Sequence, residues 1–220
     1  MLTLSFRHWA SAALLAGGLL GSLPTLADQP PPEAASGFAR ITAPTAFDHA
    51  MIVTANPLAS DAGAAILRQG GSAVDALIAA QWVLGLTEPQ SSGLGGGGFL
   101  LTHDGKRTLQ SWDGRETAPA AARGERFIGA DGKPLPFTQA VASGKAVGVP
   151  GLVAMLYAAH QQHGKLPWAA LAQPAIQLAE QGFAVSPRLY TLLVQETRLQ
   201  ADANARRYFF SEDGRPRPVG

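Results

Sequence analysis

A polar segment around Arg115 carries the side chains best suited to binding chemistry. Residues 112–119 read WDGRETAP and follow a predicted strand. The arginine guanidinium is a planar fork of donors that matches a carboxylate, so Arg115 could bind an acidic substrate. The same side chain could instead form a surface ion pair with Asp113 or Glu116, and composition alone favours the ion pair.

A glycine run at residues 93–98, GLGGGG, matches the GxGxxG pattern in form. A dinucleotide site needs that pattern after a strand and at the start of a helix, where helix N–H groups meet the pyrophosphate. Here the run follows a predicted helix and leads into a predicted strand. The sequence therefore predicts backbone that packs very close to a neighbouring strand or a ligand, and not a nucleotide site.

Other reactive side chains give weaker patterns. His160 and His163 could share a helix face, but no third metal ligand is evident nearby. No GxSxG motif surrounds Ser91 or Ser92, so neither predicts a serine nucleophile. The chain has no cysteine, which excludes disulfides, thiolate metal sites and a cysteine nucleophile. We expect no cofactor and no metal.

The elements that must position these residues are mostly helices. Asn56 and Pro57 form an N-cap and a first helical residue, and glycines follow the helix end. Ser72 and Asp75 form a variant capping box for a second helix that is apolar nearly all round and therefore buried. The predicted elements are a strand at 51–54, helices at 57–69 and 73–86, strands at 99–103 and 108–112 joined by an Asp-Gly turn, and helices at 151–163, 168–181 and 187–205.

The N-terminus has the pattern of an export signal. Residues 1–27 contain a weakly basic start, an apolar run over 9–23 and small residues ahead of a predicted cut after Ala27. The alternative is an uncleaved membrane anchor, although the apolar run is short for a spanning helix. Both interpretations take the rest of the chain out of the cytoplasm, so we expect a periplasmic or secreted protein.

Composition predicts a folded part after a linker. A proline- and alanine-rich linker is predicted at residues 28–46, and a folded domain at 47–220. Of the 220 residues, 46% are hydrophobic and 15% are charged, which suits one domain or part of a larger one. A net charge of +1 gives no reason to expect a nucleic-acid partner. No stable membrane association is expected after signal cleavage.

Several segments are more informative in combination than any one alone. They read ILRQGGSAVDA at 66–76, EPQSSGLGGGGF at 88–99, DGRETAP at 113–119, SGKAVGVPG at 143–151 and QPAIQLAEQGFAVSPRL at 173–189. In this order they resemble the gamma-glutamyltransferase (gamma-glutamyltranspeptidase) family. The likeness runs from about residue 47 to residue 220 and corresponds to the N-terminal part of the large subunit.

The resemblance implies an α+β fold of the N-terminal nucleophile hydrolase type, an αββα sandwich that is incomplete in this chain. Family members are precursors that cut themselves into a large and a small subunit. The new N-terminal threonine of the small subunit attacks the gamma-glutamyl amide of glutathione or a related donor, and its amine can serve as the base. Water, an amino acid or a peptide then accepts the gamma-glutamyl group.

The resemblance also assigns a role to Arg115, which would bind the alpha-carboxylate of the glutamyl group. Gly114 stands where many members have phenylalanine. The threonine nucleophile and the oxyanion hole belong to the downstream half of the family pattern, so no catalytic residue is expected in this chain. We expect a chain truncated within the large subunit, inactive by itself, with the small subunit of the same precursor as its partner.

Three alternatives remain open. The chain could belong to a related acylase that acts on a glutaryl or cephalosporin side chain, or to a poly-gamma-glutamate depolymerase. Arg115 would bind a carboxylate in either enzyme. It could also be a non-catalytic periplasmic binding remnant that retained this carboxylate site.

Overall fold

A computed structural model describes residues 46–220, so the predicted signal peptide and all but the last residue of the predicted linker lie outside the described residues. Within this range the chain forms seven α-helices and one two-stranded antiparallel sheet. The elements are α1 (Pro57–Arg68), α2 (Ala73–Thr87), β1 (Phe99–His103), β2 (Leu109–Asp113), α3 (Phe137–Val141), α4 (Leu152–His163), α5 (Trp168–Gln181), α6 (Pro187–Gln195) and α7 (Ala203–Phe209). None of these helices is long and apolar enough to span a bilayer.

The first two helices begin where their capping residues predict. The Asn56 side chain accepts a hydrogen bond of 3.0 Å from the backbone N–H of Leu58. Ser72 accepts from the N–H of Asp75 at 3.1 Å, and the Asp75 carboxylate accepts from the N–H of Ser72 at 2.8 Å. Gly70, with φ of 86°, supplies the left-handed turn that follows α1. The predicted capping box is therefore confirmed.

Helix α2 lies at the centre of the core and packs against α1, α4 and α5. Ile78, Ala79 and Val83 are fully buried, in agreement with the prediction of a helix that is apolar on every side. Trp82 packs against the same core and meets Trp168 of α5 edge to face, with ring centroids 5.6 Å apart. Each large aliphatic side chain buried in this way contributes about 1.5–3 kcal/mol to folding.

Strands β1 and β2 form the predicted hairpin, with Phe99 opposite Asp113 and His103 opposite Leu109. The carboxylate of Asp104 closes the turn by accepting hydrogen bonds from three successive backbone N–H groups, those of Lys106, Arg107 and Thr108. The bonds from Lys106 and Thr108 stabilise the charged carboxylate and lower the pKa of Asp104 below its ordinary value. The Arg115 segment continues directly from the end of β2.

The predicted strand at residues 51–54 is wrong. This stretch forms no β-ladder within residues 46–220. Met51 and Val53 are 63% and 78% exposed, while Ile52 alone packs into the core. The alternation of side chains is real, but a strand also needs a neighbouring backbone with which to exchange hydrogen bonds.

The single helix predicted over residues 187–205 is also wrong, because the structure breaks it into α6 and α7. Glu196 and Arg198 form a local ion pair just after α6 ends. Asp202 then caps a new helix by accepting from the N–H groups of Asn204 and Ala205, at 3.0 and 2.8 Å. An N-cap aspartate is a start signal, and the periodic apolar pattern on both sides concealed it.

A buried ion pair ties the end of α2 to the start of α6. Glu88 is 1% exposed, and its carboxylate accepts a 2.7 Å hydrogen bond from the Arg188 guanidinium. Asn56 and Gln90 donate to the same carboxylate at 2.9 and 2.6 Å, and the Ser186 hydroxyl lies 3.3 Å away. The burial of this charge is offset by a nearly complete set of donors.

We expect Arg188→Met to destabilise the protein by about 3–5 kcal/mol, because it leaves the Glu88 carboxylate buried without its cation. The measurement is the free energy of unfolding in urea. Arg198→Met is the matched control, since Arg198 pairs with Glu196 in a more exposed position, and it should cost less than about 1 kcal/mol. Equal losses in the two variants would contradict the assignment of Glu88–Arg188 as a structural tie.

Candidate functional site

The Arg115 segment is fixed at its start by the glycine run. Gly98 and Gly114 exchange backbone hydrogen bonds of 3.2 and 3.0 Å, which extend the hairpin ladder beyond β1 and β2. The Asp113 carboxylate then accepts from the N–H of Arg115 at 2.9 Å and turns the chain. The backbone of Arg115 is therefore held by the sheet and by its neighbour, in line with its position after β2.

The segment is fixed again two residues later. Thr117 and Val149 form an antiparallel bridge, with reciprocal N–H to C=O hydrogen bonds of 3.2 and 2.9 Å. This bridge brings residues 144–149 alongside the Arg115 segment. Arg115 and Glu116 thus lie between two backbone anchors, and their side chains project from a short, well-supported stretch.

At Gly97 the glycine run packs against this segment more tightly than any other residue type would permit. A β-carbon at position 97 would lie 2.6 Å from Oε2 of Glu116 and 2.7 Å from the carbonyl oxygen of Gly114. The carbonyl oxygen of Gly96 accepts from the N–H of Leu152 at 3.2 Å, which joins the run to α4. The prediction of a very close backbone approach agrees with this geometry.

Gly114 has a steric explanation. A β-carbon at this position would lie 2.7 Å from the β-carbon of Met155 in α4, and one at Gly151 would lie 2.5 Å from the Gly114 carbonyl oxygen. A larger side chain at position 114, such as phenylalanine, would not fit against Met155 in this packing. The backbone ahead of Arg115 is therefore held by α4 and not by a side chain of its own.

The Arg115 side chain is 70% exposed, and its Nε lies 3.3 Å from Oε2 of Glu116. The surface ion pair that composition favours is therefore present. Its terminal guanidinium nitrogens make no hydrogen bond to any of residues 46–220. A guanidinium can donate to one carboxylate along its Nε side and to a second one end-on, so pairing with Glu116 leaves a bidentate edge available for a ligand.

Arg115 lines a cleft of about 770 Å³ with an unusual charge balance. Three further cations line the same cleft, Arg123, Arg126 and Lys145, whereas Glu116 is its one carboxylate among the described residues. Sequence analysis missed these three cations. Two of them follow Arg115 closely in the chain, but Lys145 reaches the cleft only through the Thr117–Val149 bridge, which no local pattern reveals.

The other candidates from sequence occupy separate places. Nε2 of His160 lies 2.9 Å from the carbonyl oxygen of Leu166, and Nε2 of His163 lies 2.6 Å from the Gln110 side chain. The two imidazoles thus make different contacts from the same helix. Within residues 46–220 no three histidine, cysteine or acidic side chains are grouped so as to hold a metal. Ser91 accepts a hydrogen bond from Arg188 and lies outside the cleft.

Comparison with known proteins gives a consistent result. A family model described as gamma-glutamyltranspeptidase matches residues 59–220. The glutathione hydrolase proenzyme of Bacillus subtilis (strain 168) is 46% identical over 136 residues, which are 61% of this chain and 23% of that protein. The chain spans less than a third of the length of the curated relatives it matches.

Solved structures agree with this likeness. The crystal structure of Helicobacter pylori gamma-glutamyltranspeptidase superposes with a TM-score of 0.74 and 31% identity, covering 81% of this chain and 51% of that one. Cephalosporin acylase from Bacillus halodurans superposes with a TM-score of 0.64 and 30% identity, covering 83% of this chain and 36% of that one. The α+β fold of the N-terminal nucleophile hydrolase type is confirmed, and the described residues contribute helices and one hairpin to it.

We expect Gly97→Ala to destabilise the protein by about 1–3 kcal/mol, since its methyl group would overlap the Glu116 carboxylate and the Gly114 carbonyl. Gly93→Ala is the matched control in the same run, because nothing lies within 4 Å of a β-carbon there. The measurement is the free energy of unfolding of both variants. If Gly97→Ala is as stable as Gly93→Ala, the close approach is not a constraint on the site.

Proposed function

The chain belongs to the gamma-glutamyltranspeptidase family, and on this premise we propose that it supplies the substrate-binding part of an enzyme that transfers or hydrolyses the gamma-glutamyl group. The observation that carries the proposal is the position of Arg115. Its backbone is fixed by Asp113 and the Thr117–Val149 bridge, and its side chain lines a cationic cleft. This arrangement suits recognition of an anionic substrate.

In this proposal Arg115 binds the alpha-carboxylate of the gamma-glutamyl donor. Glu116 acts as a positioning residue, because its carboxylate lies 3.3 Å from Nε and leaves the two terminal nitrogens for a bidentate contact. A charge-assisted pair of this kind contributes roughly 1.5–3 kcal/mol to binding. Gly97 and Gly148 keep Glu116 in place, since a β-carbon at either position would lie within 3 Å of its side chain.

The chemical step that we propose requires a threonine from sequence downstream of this chain. Its hydroxyl adds to the gamma-carbonyl carbon, the C–N bond of the amide breaks, and the amine leaves with a proton. The resulting gamma-glutamyl ester is then cleaved by water or by the amine of an amino acid or peptide. The matched relatives in Bacillus subtilis and Escherichia coli are named proenzymes, which supports processing of a precursor into two subunits.

Glutathione is the donor that we propose, because the curated relatives from bacteria and plants are named glutathione hydrolases. We further propose export to the periplasm or the medium, on the basis of the signal-peptide pattern of residues 1–27. No cofactor is required by the proposed reaction, since threonine and its amine supply both nucleophile and base.

A related acylase is the second candidate, favoured by the structural likeness to cephalosporin acylase from Bacillus halodurans. A glutaryl group has the same carboxylate as a glutamyl group but lacks the alpha-ammonium. Arg115 would bind either acid, so its geometry does not discriminate between the two substrates. The discrimination must come from a direct comparison of donors.

We expect the whole protein to release 4-nitroaniline from gamma-glutamyl-4-nitroanilide faster than from glutaryl-4-nitroanilide, measured by absorbance. The 220-residue chain alone should turn over neither donor, because the proposed nucleophile lies outside it. Preference for the glutaryl donor would assign the protein to the acylases. Absence of gamma-glutamyl turnover by the whole protein would overturn the proposed function.

We expect Arg115→Lys in the whole protein to lower kcat/KM for the gamma-glutamyl donor by about 10- to 100-fold, mainly through KM, since lysine cannot form the bidentate contact. Arg115→Gln should lower it at least as far. Arg107→Gln, in the exposed hairpin turn, is the matched control and should leave KM unchanged. Wild-type KM in Arg115→Lys would remove Arg115 from the substrate site.

A further inference from the structure

We infer that Arg123, Arg126 and Lys145 form a second anion subsite in the Arg115 cleft, which binds a carboxylate on the amine side of the donor amide. The inference rests on the proposed function, because it extends the same cleft beyond the glutamyl group. The protein would then bind the leaving amine of the donor through this subsite. The acceptor amine, which occupies the same place in the second step, would be bound in the same way. The preferred amine would then be an amino acid or peptide with a free carboxylate.

The charge distribution is the first support. The cleft holds four cations and one carboxylate, although the whole chain has a net charge of only +1. The carboxylate, Glu116, is already paired with Arg115. Among residues 46–220 no carboxylate lies within 4 Å of the charged nitrogens of Arg123, Arg126 or Lys145. Like charges gathered in one cleft raise the local concentration of anions and favour a bound anion.

The two walls of the cleft are the second support. Arg123 and Arg126 lie on one wall, at the 3₁₀ turn Gly124–Phe127, and Lys145 lies on the other, in the 3₁₀ turn Gly144–Ala146. The guanidinium of Arg126 donates to the carbonyl oxygen of Gly144 at 3.4 Å and so connects the walls. A ligand in the cleft would therefore meet cations from two separate chain segments.

Side-chain contacts separate the roles of these three cations. Arg126 holds the two walls together through Gly144. Arg123 donates only to the carbonyl oxygen of its neighbour Ala122, at 3.2 Å, and Lys145 makes no side-chain hydrogen bond to any of residues 46–220. Arg123 and Lys145 can therefore be changed without removing a contact that shapes the cleft.

The number of free carboxylates in the donor indicates which part of the substrate the second subsite would bind. A gamma-glutamyl group has one free carboxylate, because its other carboxyl carbon is part of the amide. Arg115 is sufficient for that group. In the proposed reaction the other carboxylate available to this cleft is that of the amine partner, since a peptide amine carries a C-terminal carboxylate. Ala118, Ala122 and Val147 line the cleft beside the cations and leave room for a short peptide-like chain.

The test compares two donors that differ by one carboxylate, gamma-glutamyl-4-nitroanilide and gamma-glutamyl-3-carboxy-4-nitroanilide. The readout in the whole protein is the ratio of their kcat/KM values, so differences in the amount of folded enzyme cancel. Arg123→Gln combined with Lys145→Gln should shift this ratio about three- to tenfold against the carboxylated donor, the effect of two partly exposed charges. Raising ionic strength to about 1 M should shift the wild-type ratio in the same direction.

Arg107→Gln is the matched control, because it removes an exposed arginine of the hairpin turn that does not line the cleft. An unchanged ratio in the double variant, or an equal shift in Arg107→Gln, would overturn the subsite while leaving the proposed function intact. If neither donor is turned over, the proposed function fails, and the subsite is then tested by ligand binding alone. Calorimetry must then show that gamma-glutamylglycine binds more tightly than gamma-glutamylmethylamide, and that the double variant removes the difference; equal binding would overturn the subsite.

Discussion

The close contact between the glycine run and the Arg115 segment is the constraint on which the site depends. Backbone packs directly on backbone at Gly97, Gly114 and Gly151, where any β-carbon would overlap a carbonyl oxygen or a side chain. This contact joins the hairpin to the start of α4. It also fixes the backbone from which Arg115 and Glu116 project. The positions of these two charged side chains therefore depend on glycines.

The two interpretations of Arg115 turn out to be compatible. Its pairing with Glu116 is a surface ion pair, which by itself contributes little to stability. The same contact occupies one side of the guanidinium and orients the other. An exposed ion pair at the edge of a cationic cleft is therefore compatible with the ligand-binding role proposed for Arg115.

Local signals in the sequence were sufficient for the elements that are bounded by capping or turn residues. Asn56, Ser72 with Asp75, and the Asp104 turn each predict a boundary that the structure reproduces. The same reasoning failed at residues 51–54, where the pattern alternates without a pairing partner, and at Asp202, where an internal cap divides a periodic stretch. The proposal for Arg115 could be made from its segment alone. Lys145 could not be identified in this way, because its place depends on a bridge between Thr117 and Val149.

The Glu88–Arg188 pair has a consequence for the order in which the chain can be assembled. Glu88 lies five residues before Gly93, the first residue of the glycine run. Arg188 also donates to Ser91, which lies between them, across 97 residues. The segment that enters the glycine run is therefore held by the Arg188 side chain, which is synthesised long after the run itself. Until residue 188 has been synthesised, Glu88 is a charge without its cation, and Ser91 lacks the hydrogen bond that Arg188 donates. The segment that leads from α2 into the glycine run thus gains this ion pair only after α6 has begun, 100 residues later in the chain.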